Sequence, residues 1–243
     1  MKKITSVLFL FYCFSVGWAQ TVPPCTLEIT DAETFARDWT VIDVNSDVSA
    51  NTWAYNDGNA MYTQDKSNAA DDWLIAPAVT LEAGKAYKVS AYVKHSSTFG
   101  SDKQKIELKI GMAPTVEGLT TRLVYDEFFQ SKLFVEKSGT FSPAESGVFY
   151  VGLHCSSGSY MGDLYFQKIV IEEAPVYPAQ ITDLSIVAGE RGAMSATLSW
   201  TWPSSDHLGG ALSSLSGAKI YRGTDLVATL DTATVGGKAG WID

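Results

Sequence analysis

Tyr87-Lys88-Val89-Ser90-Ala91-Tyr92-Val93-Lys94 sets Tyr87, Val89, Ala91 and Val93 against Lys88, Ser90, Tyr92 and Lys94. A period of two is that of a strand with one face in a core and the other in water. The pattern returns on both sides of this stretch. Ile106, Leu108 and Ile110 alternate with Glu107 and Lys109, and Phe149, Val151 and Leu153 alternate with Tyr150 and His154. Leu164, Phe166, Ile169 and Ile171 give one more strand, with a bulge where the alternation slips at Gln167-Lys168. Turn signals separate the runs, among them Asn56-Asp57-Gly58-Asn59, Glu82-Ala83-Gly84 and Ser157-Gly158. Only Ala32–Asp38 reads as helix, with Asp31 as its cap. Many strands punctuated by turns predict an all-β sandwich over residues 25–174.

A boundary follows. Glu172-Glu173-Ala174-Pro175-Val176-Tyr177-Pro178 places two charges and two prolines where neither a ladder nor a helix continues easily. A second β pattern starts afresh over residues 178–243, with strands expected at Ile181–Ile186, Ala196–Trp200, Ala218–Arg222 and Leu226–Leu230. These stretches resemble a fibronectin type III domain with Trp200 as its core tryptophan. Such a fold needs about seven strands and ~90–100 residues, so this second domain is expected to be incomplete at its C-terminus.

The chain opens as an export signal does. Lys2-Lys3 is a positive start, Ile4–Val16 an apolar run, and Gly17 and Ala19 are small residues ahead of a cut before Gln20. Residues 1–19 are therefore read as a signal peptide, and the run is too short for a membrane span of ~18–20 residues. The expected location is secreted or at the cell surface. Formal charge is −9, and losing Lys2 and Lys3 takes it to about −11, which repels phosphate backbones and argues against nucleic acid. Cleavage leaves Cys25 and Cys155, for one disulfide or two free thiols, and the sequence leaves both open.

Three stretches of the first domain carry a family resemblance. They are Asp38-Trp39 with Val41–Asp47 and Thr52–Tyr55; then Ala70-Asp71-Asp72-Trp73-Leu74-Ile75-Ala76-Pro77; then Tyr150–His154 with the strand closing at Glu172. In this order they resemble the cleaved-adhesin, or choice-of-anchor J, family of exported Bacteroidetes proteins, which includes the adhesin modules of gingipains. The resemblance implies a jelly-roll-like sandwich, often calcium-stabilised, that binds host proteins or other macromolecules. It also implies cargo of the type IX secretion system. Relatives usually carry an Asp in the closing strand where Gln167 stands here.

Few residues suggest chemistry. Asp43, Asn45 and Asp47 alternate on a turn and are the expected calcium ligands, since that ion takes 6–8 oxygens at about 2.3–2.6 Å. The competing reading is a polar turn in which Asp and Asn cap their own backbone. Further ligands would come from Asp57 or Asp71. Asp71-Asp72 are adjacent on a strand and point to opposite faces, which does not suit paired acid–base carboxylates. Trp73 and Ile75 are expected to enter the core. Trp53, Tyr55, Tyr62 and Trp73 would stack on sugars if exposed and serve as core if buried. Cys155 beside His154 makes no dyad along a strand, and His154 reads as a rim residue. No nucleophile elbow, zinc-protease helix or phosphate loop occurs. The chain is thus expected to be a non-enzymatic adhesion module for an extracellular protein or glycan. The alternative is the substrate-targeting or carbohydrate-binding segment of a larger secreted hydrolase.

Overall fold

A computed structural model describes residues 21–46, 51–96 and 102–243; residues 1–19, read as a signal peptide, and Asp47 lie outside them. The fold is an all-β sandwich of two antiparallel six-stranded sheets. In the first, β10 (Val135–Phe141), β7 (Ala86–His95), β12 (Leu164–Ala174), β4 (Asn59–Tyr62) and β3 (Trp53–Asn56) lie side by side. β1 (Cys25–Glu28) pairs with the C-terminal half of β12. In the second, the order is β2 (Thr40–Asp43), β5 (Asp72–Ile75), β11 (Gly147–Cys155), β8 (Gln104–Gly111) and β9 (Thr121–Phe129), with β6 (Val79–Leu81) on the start of β11. The helix α1 (Ala32–Asp38) is capped by Asp31, whose Oδ1 accepts the Thr34 N–H at 2.7 Å.

The alternating apolar residues meet between the sheets. Val89, Ala91, Val93, Phe166, Ile169 and Ile171 from the first face Leu74, Ile106, Leu108, Ile110, Val151 and Leu153 from the second. The expected bulge is present, the β12–β7 register shifting between Phe166 and Lys168. That extra residue lets Ile169 and Ile171 rejoin Phe166 on the inner face.

Cys25 and Cys155 are free thiols, Cys25 half-buried on the first sheet and Cys155 fully buried on the second. Cys155 Sγ donates to Gln104 Oε1 at 3.3 Å. Burial pushes its thiol up to about 12 because a thiolate there would lack solvation. In the native chain at neutral pH, iodoacetamide is expected to label Cys25 well before Cys155, and Cys155 only after denaturation. Peptide mass mapping reads both sites, and early Cys155 labelling would contradict this packing.

Beyond Pro178, β13 (Ser185–Ala188), β14 (Ala196–Thr201) and β17 (Lys238–Ile242) form a three-stranded sheet, while β15 (Ala218–Arg222) and β16 (Asp225–Leu230) pair separately. Trp200 is buried, as expected, edge-on to Trp202 at 5.5 Å. The first strand begins at Ser185 rather than Ile181. Asp183 turns its carboxylate to the Thr201 N–H (2.9 Å) and hydroxyl (2.6 Å) instead of continuing a ladder.

Candidate functional site

The second sheet presents an outward face assembled by register alone. Ile42 lies opposite Trp73, Trp73 opposite His154, His154 opposite Glu107, and Glu107 opposite Tyr125. Residues directly paired across a sheet share a face, so these five form one row over five strands. A second row runs Ile75, Gly152, Lys109, Arg122. Adjacent strands lie about 4.8 Å apart, so the first row spans roughly 19 Å and the second roughly 14 Å.

Charge fills the middle of this face. His154 stacks flat on Trp73, ring centres 4.2 Å apart and planes within 6°. Its Nε2 lies 2.8 Å from Asp71 Oδ1 and its Nδ1 3.6 Å from Glu107 Oε2. Glu107 also meets Lys109 Nζ at 3.3 Å and Arg122 Nη1 at 3.6 Å. Tyr125 is 43% exposed, with the Arg122 guanidinium 5.1 Å and Lys105 Nζ 5.5 Å from its ring centre. Its hydroxyl donates to Glu127. That hydroxyl also holds the exposed Lys105 ammonium above the usual lysine range. The arrangement is an aromatic ring beside fixed, mutually neutralising donors and acceptors. It suits binding of a polar ligand with apolar faces.

One end of the face is closed. Leu119, from the loop after β8, fills the hollow above Gly152, where a Cβ would stand 2.3 Å from Leu119 Cδ1. Together Leu119, Trp73 and Ile75 form a small cluster of their own. Gly111 and Gly118 hold the loop down, since a Cβ on Gly111 would sit 1.8 Å from the Gly118 carbonyl oxygen. Trp73 and Ile75 are therefore buried, but under this loop and not in the main core as their sequence suggested. The exposed part of the face is Arg122 and Tyr125, with the half-buried Lys109 and Glu107 beside them, the Glu107 side chain 12% exposed.

The aromatic residues singled out by sequence take the structural role. Trp53, Tyr62 and Trp73 are each 2% exposed and Tyr55 is half-buried, so they form no open sugar platform. His154 is an integral member of the face, not a rim residue. Asp71 points outward to His154 while Asp72 is buried on the other side, and Cys155 likewise faces away from His154. Sequence reading missed Tyr125 and Arg122. β9 shifts register against β8 twice, so Thr121–Phe129 shows no clean period of two.

Of the expected calcium ligands, Asp43 ends β2 and Asn45 follows it, while Asp47 lies outside the described residues. Asp43 Oδ1 accepts the Ser46 N–H at 2.7 Å, and Asn45 Nδ2 donates to the Ala69 carbonyl at 2.7 Å. The first contact closes a turn in which Ser46 takes φ of 48°, and the second ties that turn to the segment before β5. They leave Asp43 Oδ2 and Asn45 Oδ1 for a cation. Among the described residues no group of three or more His, Cys, Asp or Glu side chains is gathered as a metal site.

Residues 27–157 match the profile of a family described as a carbohydrate binding domain. No curated protein matches the sequence. Among solved structures, the K1 cleaved adhesin domain of Lys-gingipain from Porphyromonas gingivalis is 14% identical, covering 62% of this chain and 99% of that one at a TM-score of 0.45. The CBM22-1 and GH10 modules of a Clostridium thermocellum endo-1,4-β-D-xylanase, complexed with xylohexaose, are 15% identical over 63% of this chain and 28% of that one, TM-score 0.41. A xylan-binding domain from Paenibacillus barcinonensis is 14% identical over 64% and 97%, TM-score 0.38.

Proposed function

The chain belongs to the carbohydrate binding domain family over residues 27–157, and on that premise we propose a saccharide-binding module whose ligand lies across Glu107, Lys109, Arg122 and Tyr125. The observation that carries this reading is the in-register row on the second sheet, with an exposed ring next to hydrogen-bonded charges. A pyranose offers the same two chemistries, an apolar C–H face for Tyr125 and hydroxyl pairs for carboxylate and guanidinium groups. Lys105, Lys109 and Arg122 balance Asp71, Glu107 and Glu127, which favours a neutral saccharide. An extended neutral glycan laid across the strands would meet about one strand per sugar.

Native affinity electrophoresis in gels containing xylan, β-glucan, mannan or galactan tests this. Retardation by at least one neutral polysaccharide is the expected result, and uniform mobility in all four would contradict it. The protein ligand favoured at first by sequence has no comparable support, because the matched family is described by carbohydrate binding. A substrate-targeting role in a larger hydrolase calls for the same class of ligand. The leader-like residues 1–19 support export, and a fibronectin-like spacer after Pro178 is part of the same proposal.

Calcium at Asp43, Asn45 and Asp47 belongs to it as a stabilising ion. At 100-fold excess over its dissociation constant, an ion held only by the folded state adds about 2.7 kcal/mol. Thermal unfolding with calcium and then EDTA is expected to show a reversible rise in Tm that Asp43→Ala removes. An unchanged Tm would remove the ion from the account and leave the saccharide face standing.

A further inference from the structure

The opposite side of the sandwich carries a second row that the proposed function does not use. Lys94 on β7 lies in register with Tyr165 on β12, and Tyr165 with Met61 on β4. Phe134 adjoins Val135, the partner of Val93, and so extends the row to the β10 edge. All four side chains are half-buried on the outward face of the first sheet. Lys94 Nζ sits 4.8 Å from the Phe134 ring centre and 4.5 Å from that of Tyr165. One row along, Lys168 Nζ lies 5.2 Å from the Tyr92 ring. Leu133, at the open end, is 77% exposed.

The chemistry of Lys94 sets this row apart. Lys88 meets Glu136, and Lys168 lies 3.9 Å from Glu28, whereas no carboxylate among the described residues lies within ion-pairing distance of Lys94. Asp163, two residues from Tyr165, turns its Oδ1 to the Gln64 N–H at 3.0 Å. The ammonium is thus held in place by cation–π attraction to two rings, with its charge not met by any described carboxylate. An incoming carboxylate or sulfate would form a charge-assisted hydrogen bond with a donor already positioned. The rings beside it would take the apolar face of the sugar that bears the anion.

We propose that Lys94, flanked by Phe134 and Tyr165, is a second saccharide site, selective for acidic chains such as uronates or sulfated glycans. It stands independently of the second-sheet face, and the molecule would then hold two different glycans on opposite sides.

The test uses the full chain in affinity gels of polygalacturonate, alginate and chondroitin sulfate, followed by calorimetry with an oligosaccharide of whichever retards it. Lys94→Met keeps an unbranched side chain between the rings and removes the charge. Lys94→Arg keeps the charge. The expected result is binding of at least one acidic chain, weakened at least tenfold by Lys94→Met, retained by Lys94→Arg and unchanged by Tyr125→Ala. Equal Tm values for the variants separate lost binding from lost folding. Mobility unaffected by all three polymers, or acidic binding that Lys94→Met leaves intact, would overturn the proposal. So would acidic binding abolished by Tyr125→Ala, which would move it to the other face.

Discussion

Phe166→Ala is expected to lower the free energy of unfolding by about 3–5 kcal/mol, the range for deleting a buried aromatic side chain. Phe166 is fully buried near the start of β12, in register with Val93 on one side and Ala60 on the other. Trp39 meets it edge-on at 5.2 Å and 63°, a geometry that adds to simple burial. Two features oppose collapse of the cavity. β12 is paired on both sides at Phe166, with Val93 and with Ala60, and the bulge at Gln167 pins its phase. Urea denaturation followed by far-UV circular dichroism checks it. The midpoint should fall with little change in slope, while Gln167→Ala, half-buried on the bulge, should stay within about 1 kcal/mol of the parent. A cost below 1 kcal/mol for Phe166→Ala would mean the two sheets are not packed as described.

The second large effect concerns ligand affinity without stability. Tyr125→Ala removes the exposed ring of the second-sheet face and is expected to weaken neutral-saccharide binding at least tenfold, about 1.4 kcal/mol. Glu107→Ala should cost roughly 10–100-fold, because a hydrogen bond to a charged group is worth ~1.5–3 kcal/mol. It also releases Lys109, Arg122 and His154 from the contacts that position them. Tyr125 is exposed on an edge strand, so its removal should leave Tm nearly unchanged. Calorimetric titration of each variant with an oligosaccharide of the retarding polymer reads the effect. Parent-like affinity in Tyr125→Ala would exclude that ring from the site.

Much of the sandwich is legible in the residues themselves. Strands β7, β8, β11 and β12 have one face in a closed core, so their apolar residues recur every second position and betray the pleat. The bulge at Gln167 is visible for the same reason, as a slip in that period. The helix from Ala32 is announced by its Asp31 cap. β9 and β10 are harder, because Thr121–Phe129 and Val135–Phe141 lie at sheet edges and are mostly half-buried or exposed, with little apolar contrast between faces. The site is harder still. Ile42, Trp73, His154, Glu107 and Tyr125 come from five strands spread along the chain, and only pairing registers bring them into one row. Trp73 drew attention as a large aromatic, but its burial under Leu119 depends on a glycine on a different strand, Gly152. Nothing in the local sequence around Trp73 encodes that contact.

The two faces also make the account separable. One is nearly charge-balanced and carries an open tyrosine; the other carries a lysine held between rings, with no carboxylate among the described residues in ion-pairing distance. Amide chemical-shift mapping on the isotope-labelled chain during titration with a neutral oligosaccharide tests the central claim most directly. The account predicts saturable shifts concentrated at Glu107, Lys109, Arg122, Tyr125 and His154, with Lys94 and Tyr165 unmoved. Shifts confined to the Lys94–Tyr165 side, or none anywhere for a polysaccharide that retards the protein, would contradict it.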